Sequence, residues 1–215
     1  MPIMQTLPIG ILGGTFDPVH LGHIHLAITI KKLCHLQKIL LIPCFQSPLR
    51  SPPIASTEDR LNMVKLATGD HTQFFADDRE IKHANLSYTI ETIRSLRLEH
   101  ADTPLALIMS IDNFNQFDKW HEWQSILEVT HLLIANRPGS WQITNPNVMK
   151  LLHKHQITRA EQLQKQIAGL IYLTDIAPLP IAATQIRVLI KEHKDASHLV
   201  APSVWQYICK KQLYT

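Results

Sequence analysis

The sequence predicts an α/β protein, a Rossmann-like doubly wound parallel sheet with flanking helices, built as a single domain over residues 1–215. Three observations carry this expectation. Strand-length apolar runs alternate with stretches of helical periodicity, which is the pattern of βα units around a parallel sheet. A glycine pair sits at the first strand-to-helix seam. A chain of 215 residues, 45% hydrophobic and 18% charged, is long and apolar enough to bury one sizeable core.

Taken in order, the strands are expected at 9–12, 38–43, 73–76, 105–110, 131–135 and 170–174. The helices between them carry start signals. Asp17-Pro18 reads as a cap and first-turn proline opening the first helix. Ser56-Thr57-Glu58-Asp59 supplies cap oxygens and first-turn acids ahead of Leu61 and Val64, and Ser87 precedes Ile90, Ile93 and Leu96 at helical spacing. Thr184 stands before Ile186, Leu189 and Ile190, and Pro202 suits the first turn of a last helix, so a helical portion is expected over about 183–215. Segments 43–53 and 137–146 are expected as mobile loops, and neither reads as a domain boundary.

The bulk numbers exclude several classes of function. A net charge of +3 suits an anionic ligand and falls short of the dense basic patches of a nucleic-acid binder. No run approaches the roughly 18 apolar residues of a membrane span, and the start of the chain lacks the basic region of a secretory signal. Three cysteines without framework spacing are expected to be reduced, in a cytoplasmic protein. Oligomeric state stays open between a monomer and a homo-oligomer.

The chemistry concentrates in IGILGGTFDPVHLGHIHLA, residues 9–27. Gly13 and Gly14 fall at the C-terminal end of the first strand, where a parallel sheet binds its ligands and where helix N-termini offer unpaired N–H groups. Without a Cβ they let a phosphate approach the main chain. His20 and His23, at i and i+3, then place two imidazoles on one face beside that phosphate. His25 lies about 140° around the helix from His20 and is left out. Neither the Walker A pattern nor the dinucleotide G-x-G-x-x-G is present. Two imidazoles donating to non-bridging oxygens suit phosphoryl or nucleotidyl transfer. Two plainer readings compete: a glycine turn whose histidines only cap and pack, and a zinc site of His20, His23 and Cys34 or Cys44.

GGTFDPVHLGH, residues 13–23, resembles the signature of the nucleotidylyltransferases that share a [HT]-x-G-H motif, and the whole chain resembles the bacterial nicotinate-nucleotide adenylyltransferases. PCFQSPLR stands in the place of a proline-rich loop ending in Pro-His-Lys. LSYTIETIRSLR resembles the family's Ser-Tyr-Thr helix start, and IMSIDNFNQFDKWHEWQSIL its Gly-x-Asp strand end with the tryptophan segment. ANRPG and IAATQIR resemble the last two blocks.

The resemblance implies transfer of AMP from ATP, with Mg2+, to nicotinate mononucleotide, giving deamido-NAD and pyrophosphate without a covalent intermediate. It implies phosphate and mononucleotide contacts for Gly13, Gly14, Thr15 and Phe16, with His20 and His23 on the ATP phosphates. Asp112 would take the adenosine ribose, Arg137 the adenine, and Thr184 with Arg187 the triphosphate. Trp120 would stack on the pyridine ring, Tyr88 and Thr89 would receive its carboxylate at a helix N-terminus, and Arg50 would also serve the mononucleotide. An amide substrate would bring no charge to that helix end, which favours nicotinate over nicotinamide.

The chain departs from the family pattern in three places. Ala182 and Ala183 replace two serines, Leu49-Arg50 replaces His-Lys, and Ser110 replaces a glycine. These bear on the ATP geometry rather than on the reaction class. The rival readings are a sister adenylyltransferase, such as one acting on phosphopantetheine, and a non-catalytic nucleotide-binding module on the same fold. A class I aminoacyl-tRNA synthetase would need a Lys-Met-Ser-Lys-Ser loop that is absent.

Overall fold

A computed structural model describes residues 6–136, 142–176 and 179–215. The chain opens with β1 (Ile9–Gly14), α1 (Leu21–Leu33), β2 (Lys38–Pro43), α2 (Thr57–Thr68), β3 (Phe74–Ala76), α3 (Arg79–His83) and α4 (Thr89–Glu99). It continues with β4 (Leu105–Ser110), α5 (Ile111–Phe114), α6 (Trp123–Val129), β5 (His131–Asn136), α7 (Pro146–His155) and β6 (Gln156–Ile157). β7 (Ile171–Asp175), α8 (Ala183–Lys191) and α9 (Pro202–Lys211) complete it.

The strands form one sheet in the order β3-β2-β1-β4-β5-β7-β6, the α/β arrangement expected. The order reverses at β1 and β4, and in open α/β sheets ligands bind beyond the carboxyl ends of the strands at such a reversal. The segments leaving those ends begin at Thr15 and Ile111. All six expected strands form, with their ends moved by at most two residues. β6 is an addition, a two-residue strand too short to leave a periodic signal.

Two compact units can be described separately. The first comprises Met1–Leu12, Ile28–Ile39 and Tyr88–Ala177. Its strands run parallel in the registers Ile9↔Leu105, Leu107↔Leu132, Ile134↔Leu173 and Ile157↔Tyr172. Ile9, Ile11, Ile30, Ile90, Ile93 and Phe117 are fully buried there, so the inward faces of the strands and of α4 supply its core. The second comprises Gly13–Ala27, Leu40–Ser87 and Pro178–Thr215. Its core takes Leu41 and Ile42 from β2, Met63 and Val64 from α2, Ile186 from α8 and Val204 and Ile208 from α9.

Start signals fare unevenly. Ser56 caps α2, its side chain accepting from the Asp59 N–H, and Pro202 opens α9. Ser87 does not cap α4. Its hydroxyl accepts from the Phe45 N–H at 3.0 Å, and Tyr88 takes the cap position without a side-chain bond. Asp17-Pro18 does not open α1, which begins at Leu21, because the Asp17 carboxylate accepts the N–H groups of Ile54 at 2.8 Å and Ala55 at 3.0 Å.

Candidate active site

The second unit holds the glycine-histidine corner. β1 ends at Gly14, and Phe16 turns the chain with φ of 49°, in the left-handed region that a non-glycine residue rarely adopts. Its ring lies over Gly14, where an added Cβ would stand 3.1 Å from Phe16 Cζ. A side chain at Gly14 would crowd the Phe16 ring. An added Cβ on Gly13 meets nothing within 4 Å, so the space over the end of the strand is open there. Of the two expected openings for a ligand, only the Gly13 side is clear.

His20 precedes α1 and His23 lies in its first turn. The His20 carbonyl accepts from the His23 N–H at 2.9 Å, and His23 Nδ1 accepts from the His20 N–H at 3.2 Å. This reciprocal pair works like a capping box with imidazole in place of a carboxylate. The two rings stack, with centroids 3.8 Å apart and planes inclined by 29°, and the edge of Phe16 meets His23 at 4.9 Å. Gly22 makes room for this. A Cβ there would stand 2.9 Å from His20 Nδ1, so the glycine between the two histidines is a packing requirement of the first imidazole.

Burial lowers the His20 pKa to about 4. Burial first, then His20 and Arg50, hold His23 well below the ordinary imidazole value. Both rings are neutral near pH 7. Because His23 Nδ1 accepts a backbone N–H, its neutral tautomer carries the proton on Nε2, which makes that nitrogen a donor. His20 Nδ1 is buried without a partner. The cationic effect on His23 also brings the exposed Arg50 into the electrostatics of the pair.

Thr15 is held from below by a residue that the sequence reading does not single out. Arg60, fully buried, donates to the carbonyls of Thr15 at 2.8 Å, Cys44 at 2.7 Å and Phe45 at 3.0 Å. A signal exists in the sequence: Arg60 shares the i, i+3, i+4, i+7 stripe of α2 with buried Met63, Val64 and Ala67, a core position holding a cation. Arg187 and Thr184 come together in the first turns of α8, Arg187 Nη2 donating to Thr184 Oγ1 at 3.3 Å and Nη1 to the Asp17 carbonyl at 2.6 Å. Ala182 caps α8 with no side-chain bond, so the substituted serine block leaves the helix N-terminus to its main chain.

The first unit holds the remaining described residues. Asp112 is exposed in α5, directly after Ser110, whose hydroxyl accepts from the Asn113 N–H at 3.3 Å. The residue replacing the family's glycine is thus the cap of that helix. Tyr88 and Thr89 begin α4, and the His121 ring leans on Tyr88 at 4.6 Å. Trp120 is half-buried and packs edge-on against buried Phe117 at 5.5 Å, so it is not a core side chain. Arg94 of α4 grips Glu122 at 2.6 Å, which ties the tryptophan segment to the same helix. The Asn115 side chain donates to the Gln142 carbonyl and accepts from the Thr144 N–H, and the Asn115 carbonyl accepts from the Asn145 side-chain amide, which fastens the described end of the 137–146 loop. Arg137 lies outside the described residues. Among the described residues no group of three or more His, Cys, Asp or Glu is placed to hold a metal ion, so the zinc alternative does not form.

A sheet reversing at β1 and β4, with a glycine strand end running into paired imidazoles, defines a nucleotidyl-transferring class of protein. A family model described as cytidylyltransferase-like matches residues 11–189. Within that class the relatives are narrower. The chain is 42% identical over 212 residues to a protein of Aeromonas salmonicida named probable nicotinate-nucleotide adenylyltransferase, covering 98% of this chain and 99% of the relative. A protein of the same name from Psychromonas ingrahamii is 38% identical, with 98% and 99% covered. The structure of Plasmodium falciparum nicotinic acid mononucleotide adenylyltransferase complexed with NaAD matches the fold with a TM-score of 0.73 at 20% identity, covering 97% of each chain. The chain belongs to the cytidylyltransferase-like family and, within it, to the nicotinate-nucleotide adenylyltransferases.

Proposed function

We propose that this protein transfers AMP from magnesium-bound ATP to nicotinate mononucleotide, releasing pyrophosphate and forming deamido-NAD. The observation that carries the reading is the stacked pair of neutral imidazoles, His20 and His23, in the turn and helix that follow the glycine end of β1. A phosphate oxygen of the mononucleotide attacks the α-phosphorus in line, the new P–O bond forms as the bond to the β-phosphate oxygen breaks, and the pair of electrons leaves with pyrophosphate. No protein group bonds to phosphorus. The chain contributes position and charge compensation.

In this reading His23 Nε2 and His20 donate to non-bridging oxygens of the ATP phosphates, and negative charge arriving beside them favours their protonated forms. Gly13, Gly14, Thr15 and Phe16 present the main chain to the phosphates. Thr184 and Arg187 take the triphosphate, with the bare N-terminus of α8 in place of the lost serine hydroxyls. Asp112 accepts from the ribose hydroxyls, and Arg137 is assigned to the adenine. On the acceptor side, Trp120 stacks on the pyridine, Arg50 serves the mononucleotide phosphate, and the N–H groups at Tyr88 and Thr89 receive the carboxylate. No dedicated protein cage is needed for magnesium, which enters on the triphosphate and accompanies the leaving group.

The same reading treats residues 1–215 as one working domain, with the helical portion 183–215 belonging to it, and places the protein in the cytoplasm. Cys34, Cys44 and Cys209 are all free thiols, as a reducing compartment maintains. Among the described residues no helix is long and apolar enough to cross a membrane. The test is pyrophosphate release with ATP, magnesium and either mononucleotide. Nicotinate mononucleotide is expected to support turnover at a kcat/KM at least about tenfold above nicotinamide mononucleotide, the loss typical when a charge-assisted hydrogen bond is removed. Equal values would reject the assignment of Tyr88 and Thr89, and no release with either would reject the activity.

A further inference from the structure

The Asp17 carboxylate is buried and accepts three hydrogen bonds from distant parts of the second unit. Although it is only 5% exposed, Oδ1 accepts from the Ala55 N–H at 3.0 Å and the Tyr214 hydroxyl at 2.8 Å, and Oδ2 from the Ile54 N–H at 2.8 Å. Arg187 approaches the same residue by another route. Its Nη1 donates to the Asp17 main-chain carbonyl at 2.6 Å and stays 3.9 Å from carboxylate Oδ2. A buried carboxylate draws any nearby cation unless other donors satisfy it. Here three donors fill its close contacts, so Arg187 makes only a long ion pair with the carboxylate, at 3.9 Å, while its hydrogen bond goes to the carbonyl.

Tyr214 is built for this contact. Its φ is 68°, a left-handed conformation that tyrosine holds only when its surroundings impose it. The ring is buried, and burial together with the Asp17 charge keeps the hydroxyl protonated far above the working pH, so it is a permanent donor.

We propose that Tyr214 is a positioning residue for ATP: its hydroxyl satisfies the Asp17 carboxylate and so keeps the Arg187 guanidinium from closing onto that carboxylate, holding it beside Thr184 where it meets the triphosphate. The proposal rests on the assignment of Arg187 to ATP. Without the hydroxyl, Asp17 Oδ1 keeps a single backbone donor, and the carboxylate takes Arg187 as its next partner. Arg187 is then withdrawn from the nucleotide. Contact with ATP in the ground state and the transition state is lost alike, which raises the KM for ATP and leaves kcat.

The test is Tyr214→Phe, which keeps the buried ring, measured by pyrophosphate release and by calorimetric titration with magnesium-ATP alone. The titration separates folding from positioning, because its stoichiometry counts folded sites while its Kd reports their contacts. The expected result is a KM and a Kd for ATP raised about tenfold, with the KM for nicotinate mononucleotide and kcat within twofold of wild type. On an Arg187→Ala background the same substitution should add nothing further. An unchanged Kd at normal stoichiometry overturns the proposal, as does a lowered stoichiometry with unchanged Kd, which is a purely structural role. Effects of Tyr214→Phe and Arg187→Ala that multiply also overturn it. Failure of the wild type to release pyrophosphate would instead reject the proposed activity.

Discussion

At Gly22 the motif His-x-Gly-His explains itself by contact. The glycine exists because the first imidazole lies against its α-carbon, with room for no more than hydrogen. Gly22→Ala therefore pushes the His20 ring, a movable group, rather than the backbone. Alanine is the better helix former by roughly 1 kcal/mol, which offsets the crowding. The expected outcome is a thermal midpoint unchanged or slightly raised, with kcat lowered by about 10- to 100-fold, as small misplacements of a catalytic group produce. A loss of stability equal to the loss of activity would mean that the glycine serves the helix and not the histidine. The residues of this corner were legible because they are contiguous in sequence. The roles of Arg60, Asp17 and Tyr214 were not: the stripe of α2 marks Arg60 as a buried cation and Asp17 reads as a cap, but their partners come from distant segments, Thr15 and Cys44 to Arg60, Ile54 and Tyr214 to Asp17.

At the scale of elements, the sequence shows where strands lie better than where helices begin. Continuous runs such as KILLIP and LALIMS are buried on both faces in a parallel sheet, so they stand out without any partner being known. Helix starts are settled by competition for a polar side chain. Ser56 keeps its local role, whereas Ser87 is taken by the Phe45 N–H and Asp17 by two N–H groups at the far end of the proline-rich segment. Those same bonds hold the segment expected to be a mobile loop at its two ends. Phe45 and Gln46 are fastened to Ser87, and Ile54 and Ala55 to Asp17, so Arg50 is carried on a span with fixed attachments.

For the whole molecule, buried neutral histidines set the response to acid. His131 is fully buried, accepts the Leu170 N–H on Nδ1 and bonds the Gln166 carbonyl through Nε2, and burial lowers its pKa to about 4. His20 is lowered to the same value and His23 is lowered as well. Between pH 6.5 and about 4 the unfolded chain binds protons at these sites that the folded chain refuses, so stability falls as pH falls through that window. His20 and His131 each contribute of order 3 kcal/mol by pH 4, and none of this acts above pH 7. Denaturant midpoints measured from pH 7 to pH 4.5 should fall steadily, and less so in His131→Gln. A flat profile would mean that the imidazoles charge freely in the folded state. A parallel sheet was expected from the alternation of runs, but its strand order was not, and the division into two compact units draws each from three separated segments and leaves no mark in composition.

The central claim is that paired imidazoles act on the reacting phosphate, and steady-state pyrophosphate release by His23→Ala tests it most directly. The expected result, with ATP and nicotinate mononucleotide saturating, is a kcat lowered by roughly 100-fold or more, as loss of one transition-state donor produces. Turnover at the wild-type rate in a folded His23→Ala protein would contradict it and leave the histidines with packing alone.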